Sequence, residues 1–424
     1  MFKTLVNAFR DRDIRNRIFL TLGMLILFRI GCFIPVPGLD MGKVAEMTQG
    51  NDFLNLMSIM TGGAMQNGTL FALGILPFIN SFIIMQLLTL IIPKLSEWSK
   101  GGDDDRRKLT QVTRYVALLL AVIQAIGICI GWRGAFKPTF GSEIVTMIAV
   151  IIILTGGSTF VMWLGERITE YGIGNGTSLI IFVGIISTAA TSFVNACKIM
   201  ANDPVNIWYF LGFIILVVGL FFLIVFIDLS ERRIPVMYAK RVVGNKQMGG
   251  QNTHIPIKVN ASGVMPIIFA TSILMFPMML GSIFPTDAAA WWNKWLGVGT
   301  PIYYVLLVPS IIFFAYFYAQ IQFNPVDVAK NIQQYGGMIT GIRPGKPTGV
   351  YLKKINDRLT LFGALFLGFI SIIPAVGFEV LGKSIGMNHA FSATGLLIIV
   401  SVALELNKQL ESQIMMRHYK GFLK

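Results

Sequence analysis

Ten long apolar segments constrain the fold of this chain more than any other feature of its sequence. They lie at residues 18–36, 69–92, 115–132, 144–164, 177–196, 207–228, 261–284, 302–322, 359–380 and 391–410. Each holds about 18–24 residues, and a helix of that length can cross a bilayer. Because 54% of the residues are hydrophobic and only 13% are charged, a soluble globular protein is excluded. The sequence predicts an all-α polytopic membrane protein with ten transmembrane helices.

The basic residues are placed so that they define an orientation. The chain has 35 Lys and Arg against 21 Asp and Glu. Most of the basic residues lie near the two termini and in the loops after spans 2, 4, 6 and 8. Since loops rich in Lys and Arg stay in the cytoplasm, we expect a multi-pass protein of the cytoplasmic membrane with both termini inside. The basic excess therefore mostly encodes topology rather than binding to nucleic acid.

The two longest of these loops, 229–260 and 323–358, carry much of that charge. Two positive protrusions on one face favour docking of an acidic partner, either a motor protein or ribosomal RNA. The alternative interpretation, that these are ordinary positive-inside loops, remains open at this point.

A half-polar stretch precedes span 2. Leu54–Asn67 mixes polar residues and glycines with apolar ones, and as a helix it would reach only about 20 Å, too short to span. Thr69–Ile92 would reach about 35 Å. Backbone exposed at the break between them is tolerated in a membrane only where protein or a water-filled cavity receives it, so the stretch predicts a pore or cavity. Arg29, near the outer end of span 1, is interpreted as snorkelling to the membrane interface.

The sequence also contains a short internal repeat. Residues 72–79 align with residues 261–268, with Pro77 and Pro266 in the same place. The copies lie in spans 2 and 7, an odd offset of five spans, which predicts two pseudo-symmetric five-helix halves of opposite topology. The expected domains are an N-terminal half (1–197), a hinge loop (198–206), a C-terminal half (207–410) and a cytoplasmic tail (411–424).

The remaining local motifs point to connecting segments. The glycine-rich stretch at 172–177 has no strand before it and no phosphate-binding lysine, so it predicts a tight turn that restarts a helix rather than a nucleotide site. Residues 94–110, which include three consecutive aspartates, are expected to form a solvated loop. The three cysteines have no disulfide or metal-ligand spacing.

Two other classes of membrane protein share some of these features. A secondary transporter would also have broken helices and inverted repeats, but Asp228, Glu379 and Glu405 lie toward span ends rather than near a midplane. An intramembrane enzyme is disfavoured because the three histidines lie in loops or the tail.

Motifs along the whole chain resemble the SecY family of bacterial protein-translocation channels. They are Phe28–Gly31, Phe33–Gly38, Phe71–Pro77, Gly172–Gly176, Tyr238–Arg241, Thr253–Asn260, Gly341–Gly345, Arg358–Thr360 and Gly363–Leu365. The resemblance implies a central hourglass pore between the two halves, opening sideways between spans 2–3 and 7–8. It implies a channel, not an enzyme, that translocates unfolded secretory proteins across the cytoplasmic membrane and inserts transmembrane helices laterally, without cofactor or metal.

The resemblance also implies roles for four groups of residues. Those of the constriction ring are Ile75, Ile79, Ile181, Ile268 and Ile398. Those of a plug within 54–67 are Leu54, Asn55, Met57, Ser58, Ile59, Met60, Thr61, Gly62, Gly63 and Ala64. The polar positions at the lateral gate are Gln86 and Gln124. The contacts for a motor or ribosome are Lys240, Arg241, Lys246 and Arg343.

The implied partners are SecE- and SecG-type small membrane subunits, the SecA ATPase, the ribosome, preproteins with signal sequences and the lipid bilayer. SecDF- or YidC-type accessory proteins are further candidates. A signal sequence would open the lateral gate and displace the plug. The chain departs from the family pattern at Thr177 in place of a ring isoleucine, at Ser392-Ala393 in place of a glycine pair, and at Asn67 in place of a basic residue. We expect the ring to be wider or wetter beside Thr177.

Overall fold

A computed structural model describes residues 9, 11–49, 52–139, 141–202, 207–238, 241–243, 246–248, 253–260, 263–283, 295, 297, 300–382 and 393–421. The helices in these ranges are α1 (Arg12–Gly31), α2 (Met41–Gln49), α3 (Asp52–Met60), α4 (Leu76–Ile91), α5 (Pro93–Lys100), α6 (Asp103–Gly131), α7 (Glu143–Tyr171), α8 (Gly176–Asn202), α9 (Ile207–Leu229), α10 (Met265–Ile283), α11 (Pro301–Gln322), α12 (Pro325–Gln334), α13 (Lys346–Gly382) and α14 (Ala393–Gly421). The strands are β1 (Glu231–Tyr238), β2 (Arg241–Val243), β3 (Lys246–Met248), β4 (Thr253–Lys258) and β5 (Gly337–Ile339).

A helix lies in each of the ten predicted spans, and the fold is predominantly α-helical as expected. Within the described ranges, six helical segments are long and apolar enough to cross a membrane; they belong to α6, α7, α8, α9, α11 and α13. Helices α4 and α5 would make a seventh if they are counted together across their 107° bend. The count of ten transmembrane helices stays a prediction.

The chain divides into two compact units, and the first comprises Met1–Ile214, Ser272–Tyr303 and Ala375–Lys424. In this unit α4 packs against α6, α6 against α7, and α7 against α8, while α1 contacts both α7 and α8. Helix α14 packs against α8. Helices α7 and α8 meet at the predicted tight turn, where Gly174 adopts a φ of +86° and the Asn175 side chain accepts a hydrogen bond from the amide of Thr177 (3.1 Å). The predicted restart of a helix there is confirmed.

The prediction of a solvated loop at 94–110 was wrong about its backbone. Helix α5 begins at Pro93, whose fixed φ suits the first helical turn. Helix α6 begins at Asp103, and its three consecutive aspartates complement the positive end of the helix dipole. The charged side chains do face solvent, as in the ion pair between Lys108 and Asp105 (3.0 Å).

The second unit comprises Ile215–Thr271 and Tyr304–Pro374. It contains a three-stranded antiparallel sheet in the order β4-β1-β5, with β1 paired to β4 through Arg233 and Pro256 and to β5 through Val236 and Ile339. Strands β2 and β3 form a separate hairpin. The sheet packs against α12 and α13 through a small hydrophobic core. Its buried residues are Ile234, Val236, Ile257, Ala329, Ile332, Ile339 and Leu352. The two long basic loops are therefore joined by strand pairing into one folded structure, which the sequence analysis did not anticipate.

Candidate functional site

The predicted break before span 2 lies at residues 61–75, which form turns between α3 and α4. Helix α3 ends at Met60 rather than continuing to Asn67, and α4 begins only at Leu76. The expectation that 69–92 is one 35 Å helix was wrong, since α4 reaches only about 24 Å. Gly74 adopts a φ of +55°, which interrupts a helix, and Pro77 in the first turn of α4 favours a new start.

The plug candidates from Leu54 to Ala64 are packed inside the first unit. Most of the described side chains are buried, including the polar residues Ser58 and Thr61. The Thr61 hydroxyl donates to the carbonyl of Met57 (2.9 Å) and accepts from the amide of Met65 (3.3 Å). The Thr61 hydroxyl therefore forms hydrogen bonds with backbone groups of the same stretch.

Backbone carbonyls of the break accept hydrogen bonds from other parts of the protein, as expected for irregular backbone within a membrane protein. The Ser158 hydroxyl of α7 donates to the carbonyl of Gly74 (3.0 Å), and the amide of Val36 donates to the carbonyl of Gly68 (3.0 Å). The segment that carries Val36 is itself fixed by an ion pair between Asp40 and Lys137 (3.2 Å). The hydrogen bond from Lys137 lowers the pKa of Asp40, which keeps this carboxylate charged.

The Arg29 side chain contacts groups of the protein that its interpretation from the sequence did not include. Its Nη1 donates to the carbonyl of Gly62 (2.8 Å), and its guanidinium lies 4.8 Å from the ring centroid of Phe33. The charged group therefore contacts the segment after α3, and snorkelling to the interface stays a prediction. Sequence reasoning missed this contact because the two residues are 33 positions apart.

The five isoleucines assigned to the ring are all buried, and each lies at or near the start of a helix. Four of them belong to the first unit, namely Ile75, Ile79, Ile181 and Ile398, and Ile268 belongs to the second. In the first unit, the helices that carry Ile181 and Ile398 pack against each other. Assembly of the five side chains into one ring stays a prediction.

The two gate candidates lie on the packed helices α4 and α6. Gln124 is 5% exposed, and the side-chain carbonyl oxygens of Gln86 and Gln124 accept no hydrogen bond from any described residue. The carbonyl oxygen of Asn80, which sequence reasoning missed, is buried without a partner in the same way. An amide inside an apolar span was the signal that could have identified it. Unpaired buried amides are costly, so this part of the helix pair is not optimised for stability.

The docking candidates lie in the loops that form the second unit's sheets. Lys240 falls outside the described residues, while Arg241 and Lys246 begin the paired strands β2 and β3. Arg343 is exposed in the turn between β5 and α13, and its carbonyl accepts a hydrogen bond from the Thr348 hydroxyl (2.9 Å).

A cavity of about 880 Å³ lies between α12 and the start of α13. Arg343 does not line it, but Gly345, two residues later in the chain, does. Its lining includes Lys330, Lys346, Lys353 and Asp357. Among the described residues, no group of three His, Cys, Asp or Glu side chains is arranged to hold a metal ion.

The SecY family profile matches residues 69–407 of this chain. The chain belongs to the SecY family. The protein translocase subunit SecY of Halalkalibacterium halodurans is 42% identical over 439 residues and is covered, like this chain, over 100% of its length.

Solved structures of protein channels have a similar fold. One is a SecY whose plug domain stabilises the closed state of the translocation channel, with a TM-score of 0.66, 21% identity, and coverage of 93% of this chain and 91% of that chain. Another is Sec61 in a canine ribosome-channel complex, with a TM-score of 0.62, 19% identity and the same coverage. At these identities the structures show the fold alone. Family membership makes this chain a multi-pass membrane protein that acts as a protein-translocation channel.

Proposed function

We propose that this SecY-family channel carries unfolded secretory proteins across the cytoplasmic membrane and releases apolar helices sideways into the lipid. The observation that supports it best is the non-helical segment 61–75, which overlaps the predicted span 69–92 and is hydrogen-bonded by side chains from α1 and α7. Irregular backbone is tolerated there only in a protein interior or along a water-filled cavity. A chain built only as a membrane anchor would have no use for such a break.

The segment that includes Leu54–Ala64 is the proposed plug. Helix α3 has nine residues, and an isolated helix of that length is marginal in water. Its neighbours Gly62 and Gly63 disfavour extension of the helix. The plug therefore depends on its packing in the first unit, and it can leave without unfolding a spanning helix.

The isoleucines Ile75, Ile79, Ile181, Ile268 and Ile398 are the proposed constriction. Isoleucine side chains offer no hydrogen bond to water or ions, so a narrow ring of them resists wetting. The same side chains can pack around an extended polypeptide of any sequence. This arrangement would keep the membrane sealed at rest and during transport.

The helix pair α4 and α6, with Gln86 and Gln124, forms one side of the proposed lateral gate. A signal sequence with about ten apolar residues gains roughly 3–6 kcal/mol on moving toward lipid. Shifting a gate from 1% to 99% open takes about 5.5 kcal/mol of differential binding. Signal binding therefore supplies energy of the magnitude that opening requires.

Two basic loops, with Lys240, Arg241, Lys246 and Arg343, form the proposed docking surface for the SecA ATPase or the ribosome. Both loops and both termini would face the cytoplasm of a bacterium. SecE- and SecG-type subunits would complete the channel in the membrane. The chain itself would hydrolyse nothing, because the driving force would come from the motor or from translation.

A photo-crosslinking residue placed separately at Ile79 and Ile268 tests the polypeptide pathway. A stalled secretory chain should form adducts at both sites only when it carries a signal sequence. The same residue at Ile152, which is 66% exposed on α7, is the matched control and should give no adduct. If a folded protein gives none at Ile79 or Ile268, the channel assignment of these residues is wrong, and a small-solute transporter becomes the better hypothesis.

A further inference from the structure

Helix α3 ends against side chains from two long helices. Polar groups donate to three carbonyls at and just after its C-terminal end. The Thr188 hydroxyl of α8 donates to the carbonyl of Ile59 (3.3 Å). The thiol of Cys32, directly after α1, donates to that of Thr61 (3.9 Å), and Arg29 of α1 donates to that of Gly62 (2.8 Å). The last carbonyls of a helix lack intrahelical partners and carry the negative end of the helix dipole. The cation of Arg29 is therefore placed where the electrostatics of α3 favour it.

The residues after α3 also pack closely against α1 and α8. Gly62 adopts a φ of +70°, and a Cβ atom there would lie 2.7 Å from the Nη1 of Arg29 and 3.0 Å from the Cα of Gly184. A Cβ atom on Gly184 would in turn lie 2.6 Å from the carbonyl oxygen of Met60. The end of α3 thus contacts the backbone of α8 directly and leaves no space for a side chain at either glycine.

Arg29 has few other groups to neutralise its charge. No described Asp or Glu lies within 4.0 Å of its guanidinium, whose other described contacts are the Phe33 ring at 4.8 Å and the Cys32 side chain. The Arg29 side chain is half-buried, so its hydrogen bond to Gly62 is stronger than the same bond at a fully exposed surface. Departure of α3 would remove that bond and leave the arginine to find another acceptor.

We propose that Arg29 is the latch of the plug, the positioning residue that holds α3 and Gly62 in the seated, closed position. This inference rests on the proposed function, since it takes Leu54–Ala64 as the segment that closes the channel. Arg29 binds the backbone carbonyl of Gly62. The hydrogen bond therefore does not involve any side chain of the plug. Opening requires that the hydrogen bond between Arg29 and Gly62 break.

The test compares three variants of the complete channel, with its small subunits, in planar bilayers without substrate. R29M should raise the time-averaged resting ion conductance at least tenfold, because it keeps an unbranched side chain but loses the donor and the charge. R29K keeps the charge without the planar donor group and should give a smaller increase. K198M removes an equal charge from an exposed position of α8 and should leave the conductance unchanged.

G62A approaches the same contact from the plug side. The added methyl group would displace the Arg29 guanidinium, so G62A should also raise the resting conductance even if R29M fails to accumulate. A closed resting channel in either variant, in protein that still translocates a preprotein with a signal sequence, would overturn the latch.

Deletion of residues 54–67 separates failure of the latch from failure of the proposed function. If the deletion opens the channel while R29M and G62A stay closed, the latch is wrong and the plug assignment stands. If the deletion variant also stays closed and the unaltered protein translocates no preprotein, the proposed function itself fails.

Discussion

At the scale of single residues, this molecule keeps several polar groups where a purely stable membrane bundle would have apolar ones. The buried carbonyl oxygens of Asn80, Gln86 and Gln124 have no described partner on the packed helices α4 and α6. An unsatisfied buried polar group costs about 1–3 kcal/mol. Such a cost fits a helix pair that presents polar side chains to the proposed lateral gate, since stability alone would favour apolar residues there.

Replacement of Gln124 by leucine should therefore stabilise the packing of α6 against α4 on one side of the proposed gate. We expect Q124L to raise the midpoint of thermal unfolding in detergent by a few degrees and to slow export of a signal-bearing protein. Gln111 is exposed on the same helix, so Q111L is the control and should change neither quantity. Faster export by Q124L would argue against a gate at this position.

The five buried isoleucines give a second prediction at this scale. The double variant I79G/I268G should make resting membranes leak small ions, because a wider and less apolar constriction admits water. Ion conductance of reconstituted channels measures the leak. I152G controls for the cost of glycine in a helix, about 1 kcal/mol, at a position 66% exposed. An unchanged conductance in I79G/I268G would contradict the ring.

At the scale of elements, the sheet of the second unit converts two loops into one folded structure. Val236 is 1% exposed on the central strand β1, where it pairs with Ile339 of the other loop. Its neighbour Met237 faces the opposite side and is 44% exposed. Alternating faces of one strand thus offer a matched pair of positions.

The variant V236D should open the sheet, because it buries a carboxylate in a small apolar core. Limited proteolysis of membranes with this face exposed should then cleave both loops rapidly, while the spanning helices remain intact. M237D places the same charge on the exposed face and should be cleaved at the rate of the unaltered protein. Equal protection of V236D would contradict the pairing of the loops.

At the scale of the whole molecule, the charges of the loops should separate two modes of transport. Arg343 is exposed in the turn after β5, where an acidic partner could contact it. We expect R343E to abolish motor-driven translocation in membrane vesicles while the channel still inserts into the membrane. R106E reverses an exposed charge at the start of α6 and serves as the control. Normal export by R343E would refute the docking role of this turn.

How much of this molecule could be predicted from its sequence depends on whether the deciding interaction is local. Helices such as α7 and α8 follow from apolar runs, and the turn between them follows from Gly174 and its neighbours. Hydropathy failed at residues 69–75, because it counts apolar side chains and ignores the backbone conformation of Gly74. Local reasoning also missed the contact of Arg29 with Gly62, which depends on chain packing.

The closeness of the sheet to the long helices has a mechanical consequence. A single residue, Ser230, separates α9 from β1, two residues separate α12 from β5, and α13 follows β5 after a short turn. Strands joined by backbone hydrogen bonds resist sliding past one another. A force that a partner applies to any one strand is therefore transmitted to several of the attached helices at once. The short connections leave these helices little freedom to move independently of the sheet.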